Sequence, residues 1–171
     1  MKVKKSVTIN RPADELYSFW HDFRNLPAFM RHLESVQPVG NNRSHWKAKA
    51  PAGKTVEWDA EITEDRPNEL IAWRSLEGAD VPNSGLVRFT PATGGRGTQV
   101  SVEMTYDPPG GKVGVAIAKV FGEDPELQVQ DDLRAFKQVV EIGEVVLSEG
   151  TLVGTQIVQR PAQPPADSAM A

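Results

Sequence analysis

Apolar and polar residues alternate along most of the first 106 residues of the chain. In residues 2–10 this pattern places Val3, Val7 and Ile9 on one side, which predicts a β-strand. Clusters of Gly, Pro and Asn separate the later alternating segments, and short strands joined by tight turns predict a meandering antiparallel sheet. Six further strands are predicted, at residues 35–40, 43–50, 55–64, 69–76, 84–91 and 97–106.

Two short helices are predicted between the first strand and the rest of the sheet. Pro12 and Asp14 stand near the start of the first helix, where such residues are common. A second short helix is predicted after residues 25–27, which interrupt the pattern, and it carries Phe29, Met30 and Leu33. The apolar residues of the first helix recur at helical spacing: Leu16, Phe19, Trp20 and Phe23.

A long amphipathic helix is predicted near the C-terminus. Asp124 suits the N-cap, and Pro125 suits the first helical position, where its missing N–H costs nothing. A helix of roughly six turns with one apolar stripe must lie against another element. The stripe follows steps of four and three residues: Val129, Leu133, Phe136, Val140, Gly143 and Leu147.

These elements predict an α+β fold, in which a curved antiparallel sheet of about seven strands wraps around the long C-terminal helix. The two short helices after the first strand cap one end of this arrangement. We expect a single ligand-binding domain over residues 1–147. Residues 148–171 contain the polar, proline-rich segment QRPAQPPADSAMA and are predicted to form a disordered tail.

The alternation also divides the sheet into an apolar face and a charged face. On the charged face, Glu57, Asp59 and Glu61 are expected to pair across strands with Lys47, Lys49 and Arg74 rather than to bind a metal. The apolar face mixes large aromatic residues with alanines, and the sheet is too wide for one helix to cover. This predicts a ligand cavity toward the short helices. Its predicted contacts are Trp46, Trp58, Trp73, Phe89, Met104, Tyr106, Phe29 and Met30.

Composition excludes several classes of function. A net charge of −4 and a pI near 5.4 argue against nucleic-acid binding, which usually needs a basic surface. The absence of cysteine excludes disulfides, thiolate metal sites and a cysteine nucleophile. Polar residues interrupt the N-terminal segment MKVKKSVTINRP, so it does not resemble a secretion signal and a cytoplasmic location is expected. No cofactor and no metal ion is predicted.

The chain contains no recognisable catalytic constellation. Its three histidines lack the spacing of known metal motifs, and Ser44 and His45 are adjacent in a strand, so they point to opposite faces. His32 is interpreted as a solvated residue at a helix end near the cavity mouth. The candidates for a general acid or base are Tyr106, Arg74, His32 and Ser75.

The segment PPGGKVGVAIAKVFGEDPE, residues 108–126, raises three alternatives: a membrane segment, a phosphate loop or the wall of a pocket. Its apolar run at residues 113–121 is much shorter than the approximately 20 residues of a membrane span. Tyr106 and Val113 stand where a phosphate loop needs Gly and Ser or Thr. We therefore predict a short helix at about 112–121, in which Ile117 and Phe121 contact the ligand.

Three segments carry a resemblance to a known family: INRPADELYSFWHDFRNLPAFMRHLESV, SHWKAKAPAGKTVEWDAEITEDRPNELIAWRS and YDPPGGKVGVAIAKVFGEDPE. Over residues 2–147 the chain resembles the START-like (SRPBCC) superfamily with its helix-grip fold, and in particular a bacterial polyketide cyclase/dehydrase-type subgroup. The resemblance implies a deep apolar cavity between the sheet and the C-terminal helix.

In polyketide aromatase/cyclases of this superfamily, polar groups, typically an arginine, are thought to point into the cavity. The apolar face predicted here carries no charged residue or histidine apart from Lys5 near the edge. This departure disfavours cyclase chemistry, unless a bulge turns Arg74 inward.

Three functions are compatible with these observations. The leading hypothesis is a protein that binds, transports or senses a small hydrophobic molecule. The second is an enzyme that cyclises or dehydrates a polyketide-like substrate. The third is a module that docks a protein partner. The sequence does not indicate an oligomeric state.

Overall fold

The protein is described by a computed structural model that covers residues 2–50, 53–79, 82–106 and 125–142, with backbone only for 145–146 and 152–153. Seven strands form one antiparallel sheet in the order β1-β7-β6-β5-β4-β3-β2. The strands are β1 (Lys2–Ile9), β2 (Leu33–Gly40), β3 (Arg43–Lys49), β4 (Thr55–Arg66), β5 (Leu70–Ser75), β6 (Asn83–Pro91) and β7 (Thr98–Tyr106).

All seven predicted strands are confirmed, with ends that move by one or two residues. Two of the turns between them contain an asparagine with a left-handed backbone, Asn42 at φ 57° and Asn68 at φ 64°. Asparagine tolerates this conformation better than most residues, so the turn residues support the register of the hairpins.

The region between β1 and β2 forms one α-helix, α1 (Ala13–His21), and one 3₁₀ helix (Phe23–Ala28). The second short helix was expected to follow residues 25–27 and to carry Phe29, Met30 and Leu33. This is wrong, since the 3₁₀ helix includes residues 25–27, ends before Phe29, and Leu33 is the first residue of β2. The Asp22 side chain caps the 3₁₀ helix by accepting a hydrogen bond from the Arg24 N–H at 3.2 Å. Pro27 lies inside this helix and lacks the N–H that a continued α-helix would need.

The C-terminal helix α2 (Pro125–Ile142) is one turn shorter than predicted. Val145–Val146 pairs with Leu152–Val153 as two short strands, β8 and β9, instead of continuing the helix to residue 147. The sequence has Gly143 directly after the last helical residue, a position that glycine often takes at helix ends. The predicted cap Asp124 lies outside the described residues, and the domain boundary at residue 147 stays a prediction.

The core lies between the apolar face of the sheet and one face of α2, with α1 and the 3₁₀ helix closing one end. Helix α2 buries Val129, Leu133 and Phe136 as predicted, but in the next turn Val139 is buried and the predicted Val140 is only partly buried. Phe136 is fully buried, and its ring centroid lies 4.8 Å from that of Phe29 and 5.1 Å from that of Trp20. One aromatic cluster therefore joins the long helix to the short ones.

The opposite face of the sheet is charged, as the alternation predicts, but two of the carboxylates have another partner. Glu61 pairs with Arg74 at 3.3 Å, as expected. Glu57 lies directly opposite Lys47, as expected. The expected ion pairs with lysines are wrong, however, since Glu57 and Asp59 each accept a hydrogen bond from a ring nitrogen of His45 at 2.8 Å. His45 lies directly opposite Asp59 in the register and reaches both carboxylates.

Gly85 in β6 makes room for the indole of Trp73 on the neighbouring strand. The two residues are directly opposite each other, and a Cβ at position 85 would lie 2.5 Å from Trp73 Cε2 and 2.8 Å from Met104 Sδ. Both distances are too short for real contacts. Trp73 is almost fully buried, so its ring cannot move without disturbing the core.

We expect Gly85→Ala to lower the free energy of unfolding by about 1–3 kcal/mol, because the added methyl group overpacks the core. Urea unfolding followed by circular dichroism measures this change. Ser84→Ala, on the neighbouring residue of the same strand, is the matched control and should stay within about 0.5 kcal/mol of the parent protein. Equal midpoints for the two variants would contradict the packing argument.

Candidate ligand cavity

A cavity opens between the sheet and α2 at the end that the short helices cover. Strand residues form one wall: Trp46, Trp58, Val102, Met104 and Tyr106. Helix α2 forms the other wall with Val129, Asp132 and Leu133, and the remaining lining residues are Trp20, Met30, His32 and Asn83. The lining is mostly apolar and aromatic, with a few polar groups, as is typical of small-molecule sites.

Tryptophan side chains dominate the strand wall. The rings of Trp46 and Trp58 are stacked, with centroids 5.7 Å apart, and the Trp73 ring is also stacked with that of Trp46, at 6.2 Å. The Trp46 indole N–H donates to Ser44 Oγ at 2.9 Å. The buried indole N–H groups of Trp20, Trp58 and Trp73 have no hydrogen-bond acceptor within the described part of the chain.

Asp132 is a buried carboxyl group in this otherwise apolar wall, with an exposed fraction of 7%. Its Oδ1 accepts a hydrogen bond from Gln128 Nε2 at 2.9 Å, and the backbone N–H of Arg31 donates to the same carboxyl group. Burial raises the pKa of Asp132 well above its ordinary value, since the apolar surroundings disfavour the charged form more than these two donors favour it.

His32 lies across the cavity from this carboxyl group, with its Nδ1 3.9 Å from Asp132 Oδ2. Burial lowers the pKa of His32 to about 4, and the positive charge of Lys49 adds to this effect. Burial and the nearby Asp132 raise the pKa of the Tyr106 hydroxyl. The cavity therefore favours a protonated Asp132, a neutral His32 and a neutral Tyr106.

The cavity contains six of the residues that the sequence predicted as ligand contacts or catalytic candidates. They are Trp46, Trp58, Met104, Tyr106, Met30 and His32. The interpretation of His32 as a solvated helix-end residue is wrong, since only 15% of its side chain is exposed. Whether these residues contact a ligand stays a prediction.

Other predicted residues lie elsewhere. Trp73, Phe89 and Phe29 are buried in the core behind the cavity wall. Arg74 is exposed on the charged face and donates to Glu61, so no bulge turns it inward. Ser75 Oγ accepts a hydrogen bond from the Asn83 N–H at 2.9 Å. Ile117 and Phe121 lie outside the described residues.

Sequence reasoning missed Asp132, which is the most polar group of the helix wall. The sequence does indicate that Asp132 lies on the buried side of the helix, since it follows Val129 by three positions and directly precedes Leu133. A carboxyl residue at a core position of an amphipathic helix often has a function. Trp20, Asn83, Val102, Val129 and Leu133 were also not predicted as lining residues.

The cavity volume is about 30 Å³, which is enough for one or two water molecules. A larger molecule must displace side chains from the lining. Met30 and Met104 both line the cavity, and methionine is unbranched and adapts its shape more easily than other apolar residues. These two side chains are the ones most able to move aside for a ligand.

No group of three or more metal-ligating side chains is found among the residues that the structure describes. None of the described helices combines the length and the apolar content needed to cross a membrane. The hydrogen bonds that His21 and Tyr17 make to Asp65 join α1 to the end of β4 on the surface, away from the cavity.

A curved antiparallel sheet around a long C-terminal helix, with a cavity between them, defines the helix-grip fold of START-like proteins. Residues 9–134 match the family described as polyketide cyclase/dehydrase and lipid transport. The chain belongs to this family, and the resemblance noted from the sequence is confirmed.

The similarity to several known proteins extends over most of the chain. The crystal structure of DR_A0006 from Deinococcus radiodurans is similar, and the two sequences are 45% identical. The superposition covers 84% of this chain and 98% of that chain, with a TM-score of 0.69. An uncharacterised 17.2 kDa protein from Streptomyces lincolnensis is 30% identical over 82% of this chain and 89% of its own length. The di-domain ARO/CYC BexL from the BE-7585A biosynthetic pathway shares the fold at 22% identity and a TM-score of 0.61, over 83% of this chain and 47% of its own.

Proposed function

We propose that the protein binds a small lipophilic molecule in the cavity between the sheet and α2. The observation that carries this proposal is a cavity with a mostly apolar and aromatic lining, in which two of the lining residues, Trp20 and Trp58, have buried indole N–H groups with no acceptor among the described residues. Leaving a buried donor unsatisfied costs about 1–3 kcal/mol, and a ligand that offers an acceptor would recover part of this cost.

Tryptophan fluorescence can report ligand binding, since three of the four tryptophans line the cavity and the fourth stacks on Trp46 in its wall. We expect the neutral probe N-phenyl-1-naphthylamine to bind saturably, with energy transfer from the tryptophans to the bound probe. Native mass spectrometry of the freshly purified protein should also show a bound molecule. A protein that carries no molecule and takes up no probe would contradict the proposal.

Two substitutions on neighbouring residues of β7 test the location of the probe. Val102→Phe places a ring in the cavity and should weaken probe binding by at least about tenfold, because the ring fills the available room. Ser101→Phe adds the same ring on the opposite side of the strand and should leave binding unchanged. Equal probe affinity in both variants would place the probe outside the cavity.

An enzyme of the cyclase/dehydrase type is the second candidate, favoured by the presence of His32, Asp132 and Tyr106 in one apolar cavity. A general base and a general acid held in this way could remove a proton and protonate a leaving hydroxyl group. Accelerated dehydration of a β-hydroxy aryl ketone, lost in His32→Gln while binding persists, would support it. A cytoplasmic location and a protein partner stay predictions.

A further inference from the structure

The spacing of His32 and Asp132 is the feature of the cavity that the proposed function does not yet use. The distance of 3.9 Å from His32 Nδ1 to Asp132 Oδ2 is too long for a direct hydrogen bond. It suits one oxygen atom placed between them, at about 2.8 Å from each. Both side chains line the same cavity, so a molecule that displaces part of the lining can reach this position.

The surroundings favour the neutral forms of both groups. For Asp132, burial and the nearby Asp131 charge favour the protonated form and outweigh Gln128 and Arg31, which favour the carboxylate. The Tyr106 hydroxyl also lies near Asp132. For His32, burial and the charge of Lys49 favour the neutral ring. A buried ion pair would need direct contact to offset the cost of burying both charges, which the separation of 3.9 Å does not provide. A protonated carboxyl donates a hydrogen bond, and a neutral imidazole accepts one.

On the basis of the proposed function, we propose that His32 and Asp132 bind the hydroxyl group of an uncharged lipophilic alcohol or phenol. The hydroxyl oxygen lies between them, accepts from the Asp132 carboxyl and donates to His32 Nδ1. A hydroxyl group does both with one oxygen atom, whereas a ketone or an ether cannot donate and a carboxylate would add a buried charge. The site therefore selects against fatty-acid-like anions.

Three para-substituted toluenes with the same ring test this selection: para-cresol with a hydroxyl group, para-xylene with a methyl group and para-toluate with a carboxylate. We expect para-cresol to bind about tenfold more tightly than para-xylene at neutral pH, since it gains two hydrogen bonds. We expect para-toluate to bind at least about tenfold more weakly than para-xylene. Tryptophan quenching or calorimetry gives the three affinities.

Substitutions at Asp132 assign the preference to this pair. Asp132→Leu should abolish the advantage of para-cresol over para-xylene, whereas Asp132→Asn keeps a neutral donor and should retain it within about threefold. His32→Leu, which removes the acceptor, should also reduce the advantage and serves if Asp132→Leu does not fold. Gln130→Leu, at an exposed residue on the same helix, is the matched control for Asp132→Leu and should not change the affinities.

The outcomes separate this inference from the proposed function. Equal affinities for para-cresol and para-xylene, with saturable binding of N-phenyl-1-naphthylamine, would overturn the hydroxyl site and leave the lipophilic cavity in place. Tighter binding of para-toluate than of para-cresol would overturn the hydroxyl site in the same way. Failure of all four compounds to bind would overturn both.

Discussion

Phe136→Ala is expected to lower the free energy of unfolding by about 3–5 kcal/mol, the usual range for removal of a fully buried phenylalanine. The Phe136 ring is completely buried, and it contacts Phe29, Trp20 and Phe19, whose ring centroids lie 4.8, 5.1 and 6.1 Å away. These partners belong to α1 and to the segment after the 3₁₀ helix. The substitution therefore leaves a void where α2 meets the short helices, beside the cavity.

Urea unfolding measured by tryptophan fluorescence and by circular dichroism gives the stability difference. Leu127→Ala is the matched control on α2, since Leu127 is 51% exposed, and it should change stability by less than about 1 kcal/mol. If Phe136→Ala unfolds at the same urea concentration as Leu127→Ala, the aromatic cluster does not hold α2 against α1 and the segment after the 3₁₀ helix.

The strands and the faces of the sheet could be predicted because their signal is local. Side chains in a strand alternate with a period of two, so one correct register assigns every inward residue at once. Trp46, Trp58 and Trp73 are all buried as the alternation predicts. The same local rule placed Arg74 on the charged face, where the structure shows it paired with Glu61.

The polar part of the cavity could not be predicted, because it depends on how distant elements meet. His32 lies just before β2, and its exposure is decided by the way α2 packs about 100 residues later in the chain. Asp132 and His32 come within 3.9 Å only after that packing. Similarly, the choice of His45 rather than a lysine as partner of Glu57 and Asp59 depends on side-chain reach, which alternation does not describe.

Because of this packing, the sequence predicted a cavity between the sheet and the helix but not the carboxyl group of Asp132 in its wall. The apolar strand face suggested a cavity whose strands carry no charged residue or histidine, apart from Lys5 near the edge. The structure adds a carboxyl group and an imidazole from the helix and from the loop before β2. We therefore expect a ligand with one hydrogen-bonding group to bind more tightly than a plain hydrocarbon.

The contribution of the buried Asp132 carboxyl group to stability also depends on pH. Because the pKa of Asp132 is raised, its contribution to stability is fully present below its ordinary value of 3.8 and is lost as the pH rises through the folded-state value. Asp132→Asn removes this titration, so its stability relative to the parent protein should increase as the pH rises. Urea unfolding at several pH values measures the difference.

His32 is expected to make the protein less stable in acid, by up to about 3 kcal/mol. Its pKa is about 4 in the folded protein against an ordinary value of 6.5, so the unfolded chain binds more protons between these two values. The stabilising contribution is fully present above pH 6.5 and is lost as the pH falls to about 4. Each unit of pKa difference corresponds to about 1.4 kcal/mol, which gives the stated magnitude.

His32→Gln should therefore lose less stability than the parent protein over this range, as measured by urea unfolding across the interval. His45→Gln is the informative control, because hydrogen bonds to Glu57 and Asp59 raise the pKa of His45 and give its contribution the opposite sign. That contribution is lost as the pH rises, and it is small since 39% of the side chain is exposed. Parallel acid profiles for the parent protein and His32→Gln would show that His32 is solvated, and the neutral pair with Asp132 would then have no basis.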